Sequence, residues 1–332
     1  MPQISVEAPA KLNLHLHILN KQSNGYHELE SLFLALGFGD TILCETCAQS
    51  LSLEIIFNWQ ITGNAAHCQP NLSFENNSIR QAVTLFRDRS GYDEGLKITV
   101  NKRIPLGSGL GGGSSDAAST LIALNQLAAN SKSGFFNDST LADMGFSLGS
   151  DVPFFFNNSS MAWVSGFGEK IQTIQVPESL KNLSFVLVYP GFPSNTAKAY
   201  RLFDNYFTQR RKGAKKEKTF LNDTVPLTPL RLCERYLNEC PPCKWPFFND
   251  FLPVFLDQSA GNSPSDGAGT VYKQILSDFM ELGAEFTGLS GSGSACFGVF
   301  SDHKQAEMAR YSLSKQWPCT IETFMLARLT VS

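Results

Sequence analysis

The feature that most constrains this chain is a glycine-rich loop, Pro105 to Ser115, which joins an expected strand to an expected helix. Its five glycines leave the backbone bare, so the amides can turn toward an anion and approach it closely. The helix that follows directs its N-terminal amides and the positive end of its dipole at the same point. A triphosphate makes the best use of this arrangement, and we predict that the loop binds ATP. The loop residues predicted to contact ATP are Pro105, Gly107, Ser108, Gly109, Leu110, Gly111, Gly112, Gly113, Ser114 and Ser115.

Other kinds of glycine-rich loop fit this sequence less well. Gly107, Gly109 and Gly112 have the spacing of a dinucleotide-binding fingerprint, but that fingerprint expects an acidic residue at the end of the next strand. The stretch 135–138 instead has the pattern of a loop before a helix. In the Walker A spacing Gly113 stands where a lysine belongs, and the His-Arg-Asp and Asp-Phe-Gly motifs of protein kinases are absent. A flexible linker is disfavoured because strand and helix signals flank the loop closely.

A second glycine cluster, Thr287 to Ser294, leads into an expected strand at Ala295 to Phe300. By itself this cluster fits a tight turn as well as it fits a binding loop. Together with the first loop, it could close over the substrate phosphates from a second domain.

Lys11 and Asp151 are the candidates for chemistry at the phosphate. Apolar and polar residues alternate from Lys11 to Ile18, which predicts a strand with Lys11 and Asn13 on its polar face. Asp151 follows a Gly-Ser turn and precedes Val-Pro, a context that can direct a carboxylate into a cleft, although an ordinary turn aspartate fits equally well. If the two side chains meet, the ammonium favours an ionised aspartate and helps an alkoxide to form.

The rest of the chain has the pattern of a mixed helix and strand protein. Strands are expected at 51–57, 96–100 and 185–189, and helices at 77–89, 117–129 and 141–148. Because 332 residues are long for one core, and the pattern changes near residue 165, we predict two domains, residues 1–165 and 166–332. The basic run 210–218 and the Gly/Ser-rich stretch 259–269 are typical of surface loops, although the basic run could also bind RNA or a partner.

The composition argues against several classes of protein. A net charge of -3 disfavours a general nucleic-acid binder. No apolar run approaches the roughly 20 residues that cross a bilayer, and the first residues lack a secretory pattern. We therefore expect a cytoplasmic protein that binds neither nucleic acid nor membrane. The Cys-x-x-Cys pairs at 44–47 and 240–243 are far apart, which favours free thiols over a structural zinc site.

The motifs described above resemble those of the GHMP kinase superfamily, which includes galactokinase, homoserine kinase, mevalonate kinase and phosphomevalonate kinase. The stretch from Pro105 to Ala118 is similar to the signature loop of that superfamily. The segments Pro9 to Leu14, Gly25 to His27 and Leu148 to Pro153 narrow the resemblance to the 4-diphosphocytidyl-2-C-methyl-D-erythritol kinase family. It implies an α+β fold with an N-terminal domain like the second domain of ribosomal protein S5, a C-terminal ferredoxin-like domain, and an active site between them.

The resemblance also implies a reaction and its residues. The γ-phosphate of ATP would move to the 2-hydroxyl of a cytidine diphosphate-linked methylerythritol, with Mg²⁺ shielding the phosphates. Lys11 and Asp151 would form the catalytic pair. The residues implied at the substrate are Asn13, Tyr26, His27, Asp151, Thr196 and Tyr200, and those implied near adenine are Asn77 and Lys102. Tyr26 and His27 would hold the cytosine, Asn13 would lie near the reacting hydroxyl, and the 249–251 motif would be structural. The metal ligands stay unassigned, and a monomer or weak homodimer is expected.

Two other functions remain open from the sequence. The first is another GHMP kinase, acting on mevalonate or homoserine. The second is a nucleotide-binding regulatory protein without turnover, which would keep the glycine loop but would not need Lys11, Asn13 and Asp151 together. Ser108 stands where a glycine is frequent in the family, but no motif residue is missing.

Overall fold

Two separate β-sheets organise the molecule, and one long strand of the first sheet also packs against the second half. The computed structural model describes residues 2–61, 77–130, 135–157, 159–213, 229–257, 267–317 and 319–326. Within these ranges one sheet has six strands and the other has four. The predicted basic run 210–218 and the stretch 259–269 lie mostly outside the described residues.

The first sheet has the strand order β3-β4-β2-β5-β6, with β1 paired to β2. Its strands are β1 (Gln3–Lys21), β2 (His27–Cys47), β3 (Leu53–Trp59), β4 (Gly95–Lys102), β5 (Met161–Gly166) and β6 (Lys170–Thr173). The 21 residues of β2 make it long enough to pair with β1, β4 and β5, all antiparallel, whereas β3 and β4 run parallel. The helices of this half are α1 (Ser78–Ser90), α2 (Gly112–Asn130) and α3 (Asp138–Leu148).

The second sheet has the order β10-β7-β9-β8 and is antiparallel throughout. Its strands are β7 (Ser184–Tyr189), β8 (Phe286–Leu289), β9 (Cys296–Phe300) and β10 (Cys319–Phe324). The short helix α4 (Glu178–Lys181) precedes β7. The helices α5 (Thr196–Gly213), α6 (Pro229–Glu239), α7 (Phe251–Leu256) and α8 (Ala268–Glu281) lie between β7 and β8, and α9 (His303–Ser314) lies between β9 and β10. This β-α-β-β-α-β order is that of a ferredoxin-like domain, so the predicted two-domain α+β fold is confirmed.

Strand β1 belongs to both halves of the molecule. Its first part lies in the core of the first sheet, while Leu16 and Ile18 pack into the core of the second. The Leu16 amide donates to the carbonyl of Phe248 at 2.8 Å, and its carbonyl accepts from Asp250 N at 3.0 Å. The middle of this strand is covered on both faces, and Lys11 and Asn13 are buried there. The domain boundary at 165/166 stays a prediction, with the first sheet continuing to Thr173.

The predicted helix at 117–129 begins earlier than expected. Helix α2 starts at Gly112, and the Ser115 amide already donates to the carbonyl of Gly111 at 2.9 Å. Helix propensity does not explain a start at Gly112, because glycine is among the poorest helix formers. Packing decides here, because most of α2 is buried against the sheet. The glycine loop therefore passes directly into the first helical turn.

Two further observations concern metal sites and membrane spans. The cysteines within the described ranges are free thiols, and those ranges contain no group of three metal-binding side chains. No described helix has the length and apolar character that a membrane span needs.

Candidate active site

The glycine loop is packed so tightly that side chains would not fit at Gly107, Gly109 or Gly111. Gly109 and Gly111 have φ angles of 77° and 72°, in the left-handed region that favours glycine. A Cβ on Gly109 would lie 2.2 Å from the carbonyl oxygen of Ser290. A Cβ on Gly111 would lie 2.7 Å from Cγ of Lys11. The loop therefore approaches both the second glycine cluster and the catalytic candidate on β1.

The second glycine cluster closes onto the first loop instead of forming an isolated turn. The Ser290 hydroxyl donates to the Gly109 carbonyl at 3.0 Å and accepts from the backbone N–H of Asn13 at 3.2 Å. The Ala295 amide donates to the Ser108 carbonyl at 2.9 Å. Asn249 fixes the cluster from behind, because its side-chain amide donates to two cluster carbonyls at 2.7 and 2.8 Å. The two glycine clusters, one from each domain, therefore pack against each other and form one continuous surface.

Lys11 and Asp151 meet in the structure. Lys11 Nζ lies 3.1 Å from Asp151 Oδ2, and the lysine side chain is only 5% exposed while the aspartate is 31% exposed. The ammonium also donates to Asn13 Oδ1 at 2.5 Å and lies 4.5 Å from the centre of the Phe33 ring. Asp151 stands at the start of the 3₁₀ turn Val152–Phe156, beyond the end of α3. A buried cation thus faces a partly exposed carboxylate at the edge of a cavity.

Asn13 is oriented from behind by β2. Its side-chain amide donates to Ser31 Oγ at 2.9 Å, and the Ser31 hydroxyl donates to the carbonyl of His15. Because the amide nitrogen faces Ser31, the amide oxygen must face Lys11. The polar face of β1 is therefore a connected network instead of a set of separate groups.

A cleft with two compartments adjoins this network. The inner compartment has a volume of about 460 Å³ and is lined by the glycine loop, Lys11, Asp151 and part of the second glycine cluster. The outer compartment has a volume of about 860 Å³ and is lined by Tyr26, His27 and α5. The residues common to both linings are Leu29, Gly149, Ser150, Thr196 and Tyr200. Two ligands could therefore meet where the compartments join, next to Asp151.

The outer compartment has an aromatic wall. Tyr26 is 71% exposed, and the His27 ring stacks on Tyr200 with centroids 5.3 Å apart and planes 16° from parallel. Burial, with a smaller effect of the Asp151 charge, raises the pKa of Tyr200 to about 12, so its hydroxyl stays neutral at physiological pH. The Thr196 and Ser292 hydroxyls are hydrogen-bonded at 3.0 Å, which ties α5 to the second glycine cluster.

Lys102 is placed beneath the glycine loop by two carboxylates. Its Nζ donates to Asp40 Oδ2 at 2.5 Å and to Asp116 Oδ2 at 2.7 Å, and the residue is 1% exposed. Burial lowers the pKa of Lys102, but the charges of Asp116 and Asp40 outweigh that effect and leave the pKa above its usual value. Burial raises the pKa of Asp116 to about 7, against the opposing charge of Lys102. The ammonium is thus committed to an internal ion pair next to the inner compartment.

Asn77, the other residue expected near adenine, caps a helix. Its side-chain oxygen accepts from Ile79 N at 2.8 Å at the start of α1. Asn77 is not among the described residues that line either compartment. A role at adenine stays a prediction for Asn77 and Lys102.

Asp204 is a site residue that the sequence reasoning missed. It lies on α5, with Oδ1 2.8 Å from His27 Nε2 and Oδ2 2.5 Å from Lys21 Nζ. A signal was present, because Thr196, Tyr200 and Asp204 are spaced by four residues and so share one face of a helix. Asp40, Asp116 and Ser290 were also missed, since their partners are remote in sequence.

Comparisons of the sequence and the fold with known proteins identify the family of this chain. The model of the GHMP kinases N terminal domain matches residues 77–158, and the model of the GHMP kinases C terminal domain matches residues 264–319. A 4-diphosphocytidyl-2-C-methyl-D-erythritol kinase of Chloroherpeton thalassium is 33% identical over 317 residues, which is 96% of each chain. A solved 4-(cytidine 5'-diphospho)-2C-methyl-D-erythritol kinase has 27% identity and a TM-score of 0.68, over 97% of this chain and 100% of the other.

A more distant structure shares the fold alone. Homoserine kinase from Cytophaga hutchinsonii has a TM-score of 0.64 over 100% of this chain and 96% of the other, at 16% identity. The sequence identity is therefore higher to the two 4-diphosphocytidyl-2-C-methyl-D-erythritol kinases, at 33% and 27%, than to this homoserine kinase, at 16%. The chain belongs to the 4-diphosphocytidyl-2-C-methyl-D-erythritol kinase family of the GHMP kinases.

Proposed function

We propose that this chain transfers the γ-phosphate of ATP to the 2-hydroxyl of 4-diphosphocytidyl-2-C-methyl-D-erythritol. The products are the 2-phosphate and ADP, in the non-mevalonate route to isoprenoids. The observation that carries the proposal is the two-compartment cleft with Lys11 and Asp151 at its junction, in a chain of this family. A monomer or weak homodimer and a cytoplasmic location are further proposals, taken from the sequence.

The inner compartment suits the phosphates of ATP. The glycine loop and the first turn of α2 line this compartment, where loop amides and a helix N-terminus favour an anion, and the buried Lys11 ammonium adds a positive charge. Because the loop is fixed against Ser290 and Lys11, its amides need little reorganisation when the nucleotide binds.

Mg²⁺ fits the oxygen-rich lining of the inner compartment. The Ser114 hydroxyl and the Asp151 carboxylate line the same cavity, and Mg²⁺ prefers such oxygen ligands together with phosphates and water. When bound, Mg²⁺ would offset the charge that the phosphate oxygens carry during transfer. We therefore propose Ser114 and Asp151 as the protein groups nearest to the metal.

The transfer itself needs one proton acceptor and one nearby cation. In the proposed step Asp151 accepts the proton of the 2-hydroxyl, the alcohol oxygen forms a bond to the γ-phosphorus, and the bond to the ADP oxygen breaks. The Lys11 ammonium, 3.1 Å from the carboxylate, stabilises the negative charge on the reacting oxygens. Asn13 holds the ammonium in place through its amide oxygen.

The outer compartment suits the cytidyl end of the substrate. Tyr26 offers an exposed aromatic face, and Tyr200 forms a second aromatic surface behind His27. A flat base could therefore stack there while its polar edge meets His27. Thr196, on the first turn of α5, lines both compartments and would face the linking phosphates.

A substrate panel tests the proposal. The protein is assayed for ADP release with ATP and, in turn, the cytidyl compound, mevalonate and homoserine, with and without a chelator of Mg²⁺. Turnover of the cytidyl compound alone, abolished by chelation, is the expected result. Turnover of mevalonate or homoserine would establish a different GHMP kinase, and ATP binding without any turnover would establish a regulatory protein.

Variants of the catalytic pair test the residue roles separately. Lys11→Ala and Asp151→Asn should each lower kcat by about 10²- to 10⁴-fold, with a modest change in the Kd for ATP. Lys181→Ala, which removes an exposed lysine next to Glu178, is the control and should keep normal turnover. Normal kcat in either variant of the pair would remove that residue from the proposed step.

A further inference from the structure

We propose that residues 192–195, here called the connector, couple the two compartments, so that a nucleotide in the inner one strengthens binding in the outer one. Ser194 is the positioning residue of this coupling. The proposal rests on the function proposed above, because it needs two ligands in one cleft. The connector lies between β7 and α5 in the chain, and it contacts both glycine clusters.

The connector packs directly on the glycine loop. The backbone N–H of Ser194 donates to the Gly107 carbonyl at 2.8 Å. A Cβ on Gly107 would lie 2.5 Å from Cβ of Pro193 and 3.3 Å from the carbonyl oxygen of Ser194, so no free space separates the two segments. Gly107 also lines the inner compartment. Any shift of the loop backbone toward a bound phosphate therefore changes its contacts with the connector.

The connector is also tied to the second glycine cluster. The Ser194 hydroxyl donates to the Ser292 carbonyl at 2.6 Å, and the Ser294 hydroxyl donates to the Phe192 carbonyl. Ser292 lines the inner compartment, as Gly107 does. Ser194 itself lines neither compartment. It can therefore influence a bound ligand only through the two clusters and through the helix that follows it.

That helix is α5, and the connector sets the position of its first turn. Asn195 caps the turn, because its side-chain oxygen accepts from Lys198 N at 2.9 Å. Pro193 stiffens the connector, because its ring fixes φ. Thr196 and Tyr200 lie on the first turns of α5 and line both compartments. A stiff segment thus runs from the phosphate site to the side chains at the junction of the compartments.

This arrangement predicts positive coupling between the two ligands. A nucleotide that fixes the glycine loop also fixes the connector and the first turn of α5. The second substrate then meets side chains that are already ordered, so its binding loses less conformational freedom. By linkage, the second substrate strengthens nucleotide binding by the same factor.

Calorimetric titration measures the coupling directly. The Kd of AMP-PNP with Mg²⁺ is measured on the full chain without and with a saturating amount of the cytidyl compound. We expect the second Kd to be lower by at least about fivefold. Ser194→Ala removes one hydrogen bond of the connector and should reduce this ratio by about 2- to 10-fold. Ser194→Thr keeps a hydroxyl and should retain more of the ratio than Ser194→Ala does.

Ser179→Ala is the matched control. The Ser179 hydroxyl also donates to a backbone carbonyl at 2.6 Å, that of Leu237, and Ser179 lines neither compartment. This variant should keep the ratio of the unchanged protein. A ratio near one in the unchanged protein would overturn the proposal. So would a Ser194→Ala protein in which the affinity for one ligand falls but the ratio stays the same, since that is the result of a merely structural role.

Hydrogen exchange decides the role of the connector with the nucleotide alone. AMP-PNP should slow the exchange of the backbone amides at 198–200, in the first turn of α5, and the slowing should be smaller in Ser194→Ala. Exchange at 198–200 that does not respond to the nucleotide would overturn the proposal. If AMP-PNP slows this exchange but the cytidyl compound neither binds nor reacts, the proposed function fails, and the link from the glycine loop to α5 is supported.

Discussion

Replacing Gly109 with alanine tests whether the contact between the two glycine clusters holds the phosphate site in shape. Two penalties follow from the structure. A left-handed backbone costs alanine about 1 kcal/mol relative to glycine, and the new Cβ would lie 2.2 Å from Ser290 O and 2.8 Å from Gly293 O. Both atoms belong to backbone, so the loops must separate by roughly 1 Å, at an overpacking cost of about 1–3 kcal/mol.

The expected free energy of unfolding for Gly109→Ala is thus lower by about 2–4 kcal/mol. Turnover should fall by about 10²-fold, because a displacement of 1 Å at the glycine loop misplaces the phosphates. Gly91→Ala is the matched control. Its φ of 69° imposes the same backbone strain, but nothing lies within 4 Å of its Cβ position, at the end of α1.

Urea unfolding and steady-state kinetics on the two variants give the answer. Gly91→Ala should lose about 1 kcal/mol of stability and keep its kcat. If Gly109→Ala were no less stable than this control and equally active, the junction of the two clusters would have no role in shaping the site.

Further predictions concern charged and polar groups around the cleft. Burial and the charge of His17 lower the pKa of His15 from 6.5 to about 4. As the pH falls, the unfolded chain therefore takes up this proton before the folded chain does. The free energy of unfolding, measured with urea, should fall by up to about 3 kcal/mol between pH 6.5 and 4, and His15→Gln should remove this loss. Hydrogen bonding to Asp250 raises the pKa of His17. The stabilisation of the fold by protonated His17 is therefore present below pH 6.5 and is lost as the pH rises through the folded-state pKa. His17→Gln should lower the free energy of unfolding mainly in acid, and an equal loss at alkaline pH would contradict this. Lys102→Met leaves two buried carboxylates uncompensated and should cost about 3–5 kcal/mol of stability, whereas an unchanged unfolding midpoint would show that the ion pair contributes nothing. Asn249→Ala removes two hydrogen bonds to carbonyls of the second cluster and should cost about 1–3 kcal/mol together with part of the kcat; full stability with normal kcat would exclude its supporting role.

Local features of this fold could be predicted from sequence, and long-range contacts could not. The glycine loop was predictable because its glycines, its flanking strand and its helix lie within a few residues of one another. The alternation from Lys11 to Ile18 likewise predicted a strand. The burial of Lys11 was not visible in that pattern, since it depends on the glycine loop and on Phe33, which pack over the polar face. The start of α2 at Gly112 was missed because packing, not propensity, decides it.

The contacts within the site were likewise not predictable from local sequence patterns. Lys11 and Asp151 are 140 positions apart, and no pattern around either residue gives the 3.1 Å between them; their pairing was expected only from the family resemblance. Asn13 and Ser290 are still further apart, yet their hydrogen bond helps to join the two domains. Asp204 was within reach of the sequence through the four-residue spacing on α5, but its contact with His27 depends on how the two domains pack.

The environment of the Lys11 ammonium explains why a buried lysine suits this position. An ammonium group has three hydrogens, and two of its partners here are Asn13 Oδ1 and Asp151 Oδ2. The Phe33 ring covers another side of the ammonium at 4.5 Å, which keeps water away without competing for a hydrogen. At least one of the three hydrogens is therefore left for an oxygen in the cavity. In such a poorly hydrated setting, a phosphoryl oxygen would interact more strongly with the ammonium than it would in bulk water. Asn13 increases this effect, because its link to Ser31 prevents the amide from turning a donor toward the lysine.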